Sequence, residues 1–178
     1  MKTKLYLVSL LPYRIRFPHL TKRQLEREAG ETAIKTVMSV LLHRQVESKE
    51  ICRNPKPYLE NCPYQFNLSH SGDYLVLAVG DVPIGVDIEK INRVRPKVME
   101  RYFSDSEKEK VAKEGADAFY EIWTKKESYL KYTGNGLKDL EKTKQYPPQI
   151  DFFTTVFESY RITVCSEWGH LPTQIEIL

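Results

Sequence analysis

The sequence predicts an α+β protein whose second unit opens at Val82-Pro83. Helical spacing and strand-like alternation both occur, in separate stretches. Ile34, Val37, Met38 and Leu41, and later the run from Phe119 to Tyr132, repeat apolar residues with helical period. Lys4 to Leu11, Tyr74 to Val79 and the blocks between Gln149 and Leu178 have the length and pattern of strands. At 178 residues the chain can bury one core or divide it between two small lobes.

Lys4 to Leu11 reads as a strand ended by Pro12. Thr21 with Gln24 makes a capping box for a short helix through Glu28, and Gly30 separates it from the amphipathic helix that follows. Arg14, Arg16, Lys22, Arg23 and Arg27 crowd this region, as a solvated surface or as phosphate contacts. Asn54-Pro55-Lys56-Pro57-Tyr58 reads as a stiff loop, because each proline drives its predecessor into extended backbone. Such a loop can hold Lys56 in a fixed position. In Phe66-Asn67-Leu68-Ser69-His70-Ser71-Gly72, polar groups gather at the end of an apolar segment, and a histidine between two serines suits a ligand contact.

Arg93 to Phe103 is expected to be a helix with Val94, Val98 and Tyr102 inward and Lys97 and Arg101 exposed. Ser104-x-x-Glu107 is a capping box, which makes Glu107 a helix cap rather than a metal ligand. Phe119 to Tyr132 is the strongest helical pattern, stopped by Gly134-Asn135-Gly136. Gln149 to Phe157, Tyr160 to Ser166 and Thr173 to Leu178 predict antiparallel strands.

A net charge of +3 is too small to mark a nucleic-acid binder and fits an anionic small molecule or an acidic protein partner. Cys52, Cys62 and Cys165 are odd in number and lack zinc spacing, so a reduced, cytoplasmic compartment is expected. Lys2 and Lys4 precede an apolar run, but Pro12, Tyr13, Arg14 and Arg16 follow without a small-residue cleavage site. A first strand is expected there rather than a signal peptide. No apolar run approaches the ~18 residues of a membrane span.

Chemistry concentrates in two stretches. In Gly85-Val86-Asp87-Ile88-Glu89, a strand would present Asp87 and Glu89 from one face while Val86 and Ile88 enter the core. In Trp123-Thr124-Lys125-Lys126-Glu127-Ser128-Tyr129-Leu130-Lys131, a helix would stack Trp123, Glu127 and Lys131 as one stripe. Brought together, Asp87, Glu89 and Glu127 would repel one another unless a divalent cation sat between them, and hard oxygen ligands in that number suit Mg²⁺. Trp123 serves equally well as core packing or as a wall of the site.

These two stretches, together with Lys56-Pro57-Tyr58, Phe66 to Ser71 and Arg101-Tyr102-Phe103-Ser104 with Glu107, resemble the 4′-phosphopantetheinyl transferases of the Sfp type in order and spacing. The resemblance spans Lys56 to Leu137; the flanking segments match in general character. It implies two similar α+β lobes, each a small antiparallel sheet packed on a long helix, with the active site in the cleft between them. Residues 1–82 would form the N-terminal lobe with coenzyme A contacts, and residues 83–178 the C-terminal lobe with the magnesium site and carrier docking. The short homotrimeric holo-acyl-carrier-protein synthases are less similar.

The implied reaction transfers the phosphopantetheine arm of coenzyme A to a serine of an acyl or peptidyl carrier protein and releases adenosine 3′,5′-bisphosphate. Asp87, Glu89 and Glu127 match the magnesium ligands. Glu127 also matches the general base, and Lys131 a catalytic phosphate contact. Lys56, Ser69, His70 and Lys131 match coenzyme A contacts, and Lys97, Arg101, Val94 and Val98 are a dock for an acidic carrier. A cytoplasmic monomer, without nucleic-acid or membrane partners, is expected. Two departures stand out: Gly30 falls where the family carries an arginine for the 3′-phosphate, leaving Arg27 or Lys22 to replace it, and the N-terminal lobe is short. The same carboxylates would also serve a Mg²⁺-dependent phosphohydrolase, and a coenzyme A or carrier-binding protein without catalysis is the other alternative.

Overall fold

The structure, a computed structural model, describes residues 2–53, 56–134, 136, 140, 143 and 145–178. Strand β1 (Lys4–Ser9) runs almost directly into a short helix, α1 (Leu11–Arg16). Pro12 therefore opens a helix as well as following a strand, since its missing N–H has no partner to lose in a first turn. Helix α2 (Lys22–Leu41) starts at the expected box, with Thr21 and Gln24 capping each other. The expected break at Gly30 does not occur. Leu25, Ala29, Ala33, Ile34, Val37 and Met38 are buried on both sides of it, which outweighs the ~1 kcal/mol that a mid-helix glycine costs relative to alanine.

Strands β2 (Ile51–Arg53) and β3 (Pro57–Leu59) pair as an antiparallel ribbon, so Pro57 begins a strand where a loop was expected. Asn54 and Pro55 lie outside the described residues. Then come β4 (Gln65–Ser71), β5 (Tyr74–Gly80) and β6 (Ile84–Lys90). Three helices follow: α3 (Pro96–Tyr102), shorter than expected because Pro96 sets its first turn, α4 (Asp105–Glu114) and α5 (Ala116–Thr133). Helix α5 ends at Gly134, whose φ of 80° is the left-handed backbone that glycine adopts without strain; Asn135 and Leu137 are not among the described residues. The last elements are β7 (Ile150–Phe157), β8 (Tyr160–Glu167) and β9 (Ile175–Ile177).

The first sheet has the order β4-β5-β1-β9 and the second β6-β8-β7. The antiparallel expectation holds for β7 and β8. It fails for β9, which crosses to the first sheet and pairs parallel with β1, Leu5 opposite Ile175. The fold is thus α+β, with each principal sheet backed by one long helix. On one face of the first sheet, Tyr6, Val8, Leu75 and Leu77 pack with Leu25, Ile34 and Met38 of α2. The alternate residues Leu5, Leu7, Val76 and Ala78 meet Ile84, Val86, Ile88, Ile162 and Val164 of the second sheet. Helix α5 covers the other face of that second sheet, where the Thr124 and Thr163 hydroxyls lie 2.7 Å apart. Phe103 and Val111 close the far side of α5 against Phe119, Ile122 and Leu130. Among the described residues no helix is long and apolar enough to cross a membrane.

Candidate active site

Strand alternation aims Gly85, Asp87 and Glu89 at α5, and the helical period of α5 brings Trp123, Glu127 and Lys131 to meet them. Close approach depends on Gly85: a Cβ there would lie 1.9 Å from the Ser128 carbonyl oxygen and 2.4 Å from the Tyr132 nitrogen. The helix can therefore press its polar stripe onto the strand. Asp87 is 5% exposed. Its Oδ1 accepts from Lys131 Nζ at 2.7 Å and from Ser69 Oγ at 2.9 Å, and Lys131 also donates to Ser69 at 2.7 Å. One residue each from β4, β6 and α5 closes this triangle. Glu89 accepts at Oε1 from Arg95 Nη2 at 2.7 Å and from the Trp123 indole at 3.2 Å, so Trp123 both packs the core and holds the site.

Burial, and then the Asp87 charge, push the Glu127 carboxyl up to about 7; Glu89 adds to the rise while Lys131 and Arg95 oppose it. The three carboxylates therefore share one field. The unfolded carboxyl ionises near pH 4.5, so the native state loses stability as pH rises between that value and 7, and the loss is complete above 7. Glu127→Gln is expected to raise stability at pH 8 in chelator-treated buffer by on the order of 2 kcal/mol, with no gain below pH 4. Urea melts at the two pH values check this.

Among the described residues no group of three His, Cys, Asp or Glu is already drawn together as a metal cage. Protein cations engage Asp87 and Glu89 instead. The donor set nevertheless fits a hard divalent ion in kind: Asp87 Oδ2 is buried without a hydrogen-bond partner among the described residues, and Glu127 lies within the same repulsive cluster.

Ser69 and His70, adjacent in β4, point to opposite faces. Ser69 joins the carboxylates. His70 Nδ1 lies 3.2 Å from Glu26 Oε1 on α2 and lines a cavity of about 240 Å³ with Arg23, Arg27, Arg53 and Gly30. Lys22 lies instead 3.7 Å from Glu26 and lines a different hollow, and Arg14 pairs with Asp73. Lys56 lines a second cavity, about 420 Å³, with Tyr58, Phe66, Tyr132 and Gly134. Burial and the Lys131 charge both lower the Lys56 pKa, so an anion between these two ammonium groups would be welcome. Pro57 lines both cavities.

Glu107 does cap α4, accepting from the Ser104 backbone N–H at 2.7 Å, and pairs with the fully buried Lys126 at 2.8 Å. The sequence reading missed Arg53 and Arg95, and it named Asn67 and Ser71 in a polar cluster without giving either a role of its own. Asn67 Oδ1 accepts from the Val86 backbone N–H and Ser71 Oγ from that of Lys90, each at 3.0 Å. Side chains thus bridge β4 to β6 where no backbone ladder does. The signal was available: residues 67, 69 and 71 share one face of a strand.

The site thus joins Asp87 and Glu89 of β6 to Glu127 and Lys131 of α5 and to Ser69 of β4, in an α+β protein with one long helix behind each principal sheet. Residues 83–176 match the 4′-phosphopantetheinyl transferase superfamily, and the chain belongs to that family. The 4′-phosphopantetheinyl transferase psf-1 of Bacillus pumilus is 32% identical over 146 residues, covering 70% of this chain and 63% of its own length. The 4′-phosphopantetheinyl transferase ffp of Bacillus subtilis is 32% identical over 162 residues, covering 82% and 69%. The 4′-phosphopantetheinyl transferase Sfp of Bacillus subtilis (strain 168) is 33% identical over 117 residues, covering 61% and 51%. Similarity to these proteins puts the chain in the Sfp-type branch, and the matches span from about half to about two thirds of the relatives' lengths.

Proposed function

We propose that the protein transfers the 4′-phosphopantetheine arm of coenzyme A to a serine hydroxyl of an apo acyl or peptidyl carrier protein. The observation that carries this reading is the triangle of Ser69, Asp87 and Lys131, in which three separate sequence motifs meet within 2.9 Å. Residues 1–82 supply the coenzyme A contacts, and residues 83–178 the metal ligands and the carrier dock. Arg23, Arg27, Arg53 and His70 hold the 3′-phosphate end, with Arg27 and Arg53 in place of the arginine that Gly30 replaces. Lys56 and Lys131 flank the diphosphate, and Ser69 donates to it once its single hydroxyl proton leaves Asp87.

Asp87, Glu89 and Glu127 would hold Mg²⁺, which when bound neutralises charge on the diphosphate and orients it. Glu127, with a pKa near neutrality before metal and substrate arrive, accepts the serine proton as the serine oxygen bonds to the phosphorus that carries the pantetheine. The phosphoanhydride bond on the far side of that phosphorus breaks, and the electron pair leaves with adenosine 3′,5′-bisphosphate. Lys131 stays within reach of the phosphate oxygens as charge moves to the leaving group.

Incubation with coenzyme A, Mg²⁺ and an apo carrier tests the reading. A carrier heavier by one phosphopantetheine supports it. Released inorganic phosphate or cut nucleic acid replaces it with a phosphohydrolase, and binding without mass change with a non-catalytic binder. The carrier docks on α3 and the residues just before it, where Lys97 and Arg101 are exposed and Val94 and Val98 are half-buried. Reversing both charges to Glu is expected to raise the carrier KM roughly tenfold with kcat little changed. Steady-state kinetics with varied carrier measure this, and an unchanged KM rejects the dock. The same reading makes the protein a cytoplasmic monomer acting on soluble carriers.

A further inference from the structure

Each of the two carboxylates on β6 is held by a cation of the protein itself. Lys131 holds Asp87 and belongs to a motif already assigned. Arg95 has no such assignment. Its guanidinium donates to Glu89 Oε1 at 2.7 Å and lies 5.4 Å from the Tyr120 ring centroid and 6.0 Å from that of Trp123. Its backbone is held as firmly. Arg95 precedes Pro96, which confines it to extended conformations, and it occupies the N-cap of α3 with φ −100° and ψ 91°. Both ends of the residue are therefore fixed while its charge rests on a predicted metal ligand.

Resting on the reading that Asp87, Glu89 and Glu127 take a divalent cation, we propose that Arg95 is a tethered counter-ion that occupies Glu89 in the metal-free protein and is displaced from it when the cation binds. A guanidinium bonded to a carboxylate oxygen and an ion coordinated to the same oxygen compete for its lone pairs, and the two positive charges repel. Coordination at Glu89 Oε1 therefore breaks a charge-assisted hydrogen bond. The Trp123 indole bonds the same oxygen, so its emission reports the exchange.

Titration with MgCl₂ and with MnCl₂, without coenzyme A or carrier, tests this by calorimetry and by Trp123 fluorescence. The exposed Trp168 is first replaced by Phe to isolate the signal. Arg95→Gln is expected to bind either ion roughly tenfold tighter, the equivalent of one charge-assisted hydrogen bond no longer broken. Arg95→Lys, which keeps the charge, is expected to stay near wild type, and Asp87→Asn to lose binding. Affinity in Arg95→Gln equal to or weaker than wild type, with binding lost in Asp87→Asn, overturns the role of Arg95 and leaves the metal reading standing. Undiminished binding in Asp87→Asn overturns both.

Discussion

Asp87→Asn is expected to reduce phosphopantetheine transfer by at least ~10³-fold while leaving the fold intact. The substitution keeps the shape of the side chain and removes its charge. Asp87 Oδ1 sits where Ser69 and Lys131 converge and Oδ2 is buried without a hydrogen-bond partner among the described residues. A neutral amide would leave the Lys131 ammonium without its counter-charge and remove one of the three carboxylates that suit a divalent ion. Stability is then set by two opposed terms, the lost ion pair with Lys131 and the relief of repulsion on Glu127. Asp87 is the leading charge that raises the Glu127 pKa, so removing it relieves repulsion in the protein without metal. Mass spectrometry of the carrier and a melting curve in chelator-treated buffer measure the two effects. Transfer at the wild-type rate in saturating Mg²⁺ would reject the assignment of Asp87.

Gly85→Ala is expected to destabilise the protein by upwards of about 3 kcal/mol, or to prevent its accumulation. The added methyl would meet only backbone: the Ser128 oxygen at 1.9 Å, the Tyr132 nitrogen at 2.4 Å and the Lys131 carbonyl carbon at 3.0 Å. No rotamer change relieves such a contact, so α5 has to lift from β6. That movement would carry Lys131 away from Asp87 and strain the Thr124–Thr163 contact. A urea midpoint close to wild type would show that α5 does not depend on this close approach.

The site was more legible in the sequence than the packing around it. Alternation through Val86, Asp87, Ile88 and Glu89 and the helical spacing of Trp123, Glu127 and Lys131 are local properties, and local patterns survive folding when both faces of an element are well distinguished. The capping boxes at Thr21 and Ser104 were readable for the same reason. Gly30 misled because helix propensity is a weak prior beside burial on both sides of it. Treating α2 as two helices hid the stripe of Arg23, Arg27, Gly30 and Ile34 that lines one cavity with Arg53. Arg95 and Arg53 were invisible for another reason: each sits where an element starts or stops, at the N-cap of α3 and at the end of β2, and no periodicity encodes where such a residue lands. Ser69 and His70, read together in the sequence, part ways in the fold because neighbours in a strand cannot share a face.

The return of β9 to β1 bears on how the protein is made. Leu5 finds its partner Ile175 about 170 positions later, and Leu178 donates to the Leu7 carbonyl oxygen at 2.9 Å. One edge of β1 therefore stays bare on the ribosome until the segment that carries β9 has emerged. Vectorial synthesis cannot finish the first sheet before the second is made, and this clasp between distant segments slows closure of the sheet and leaves a nascent edge in need of protection.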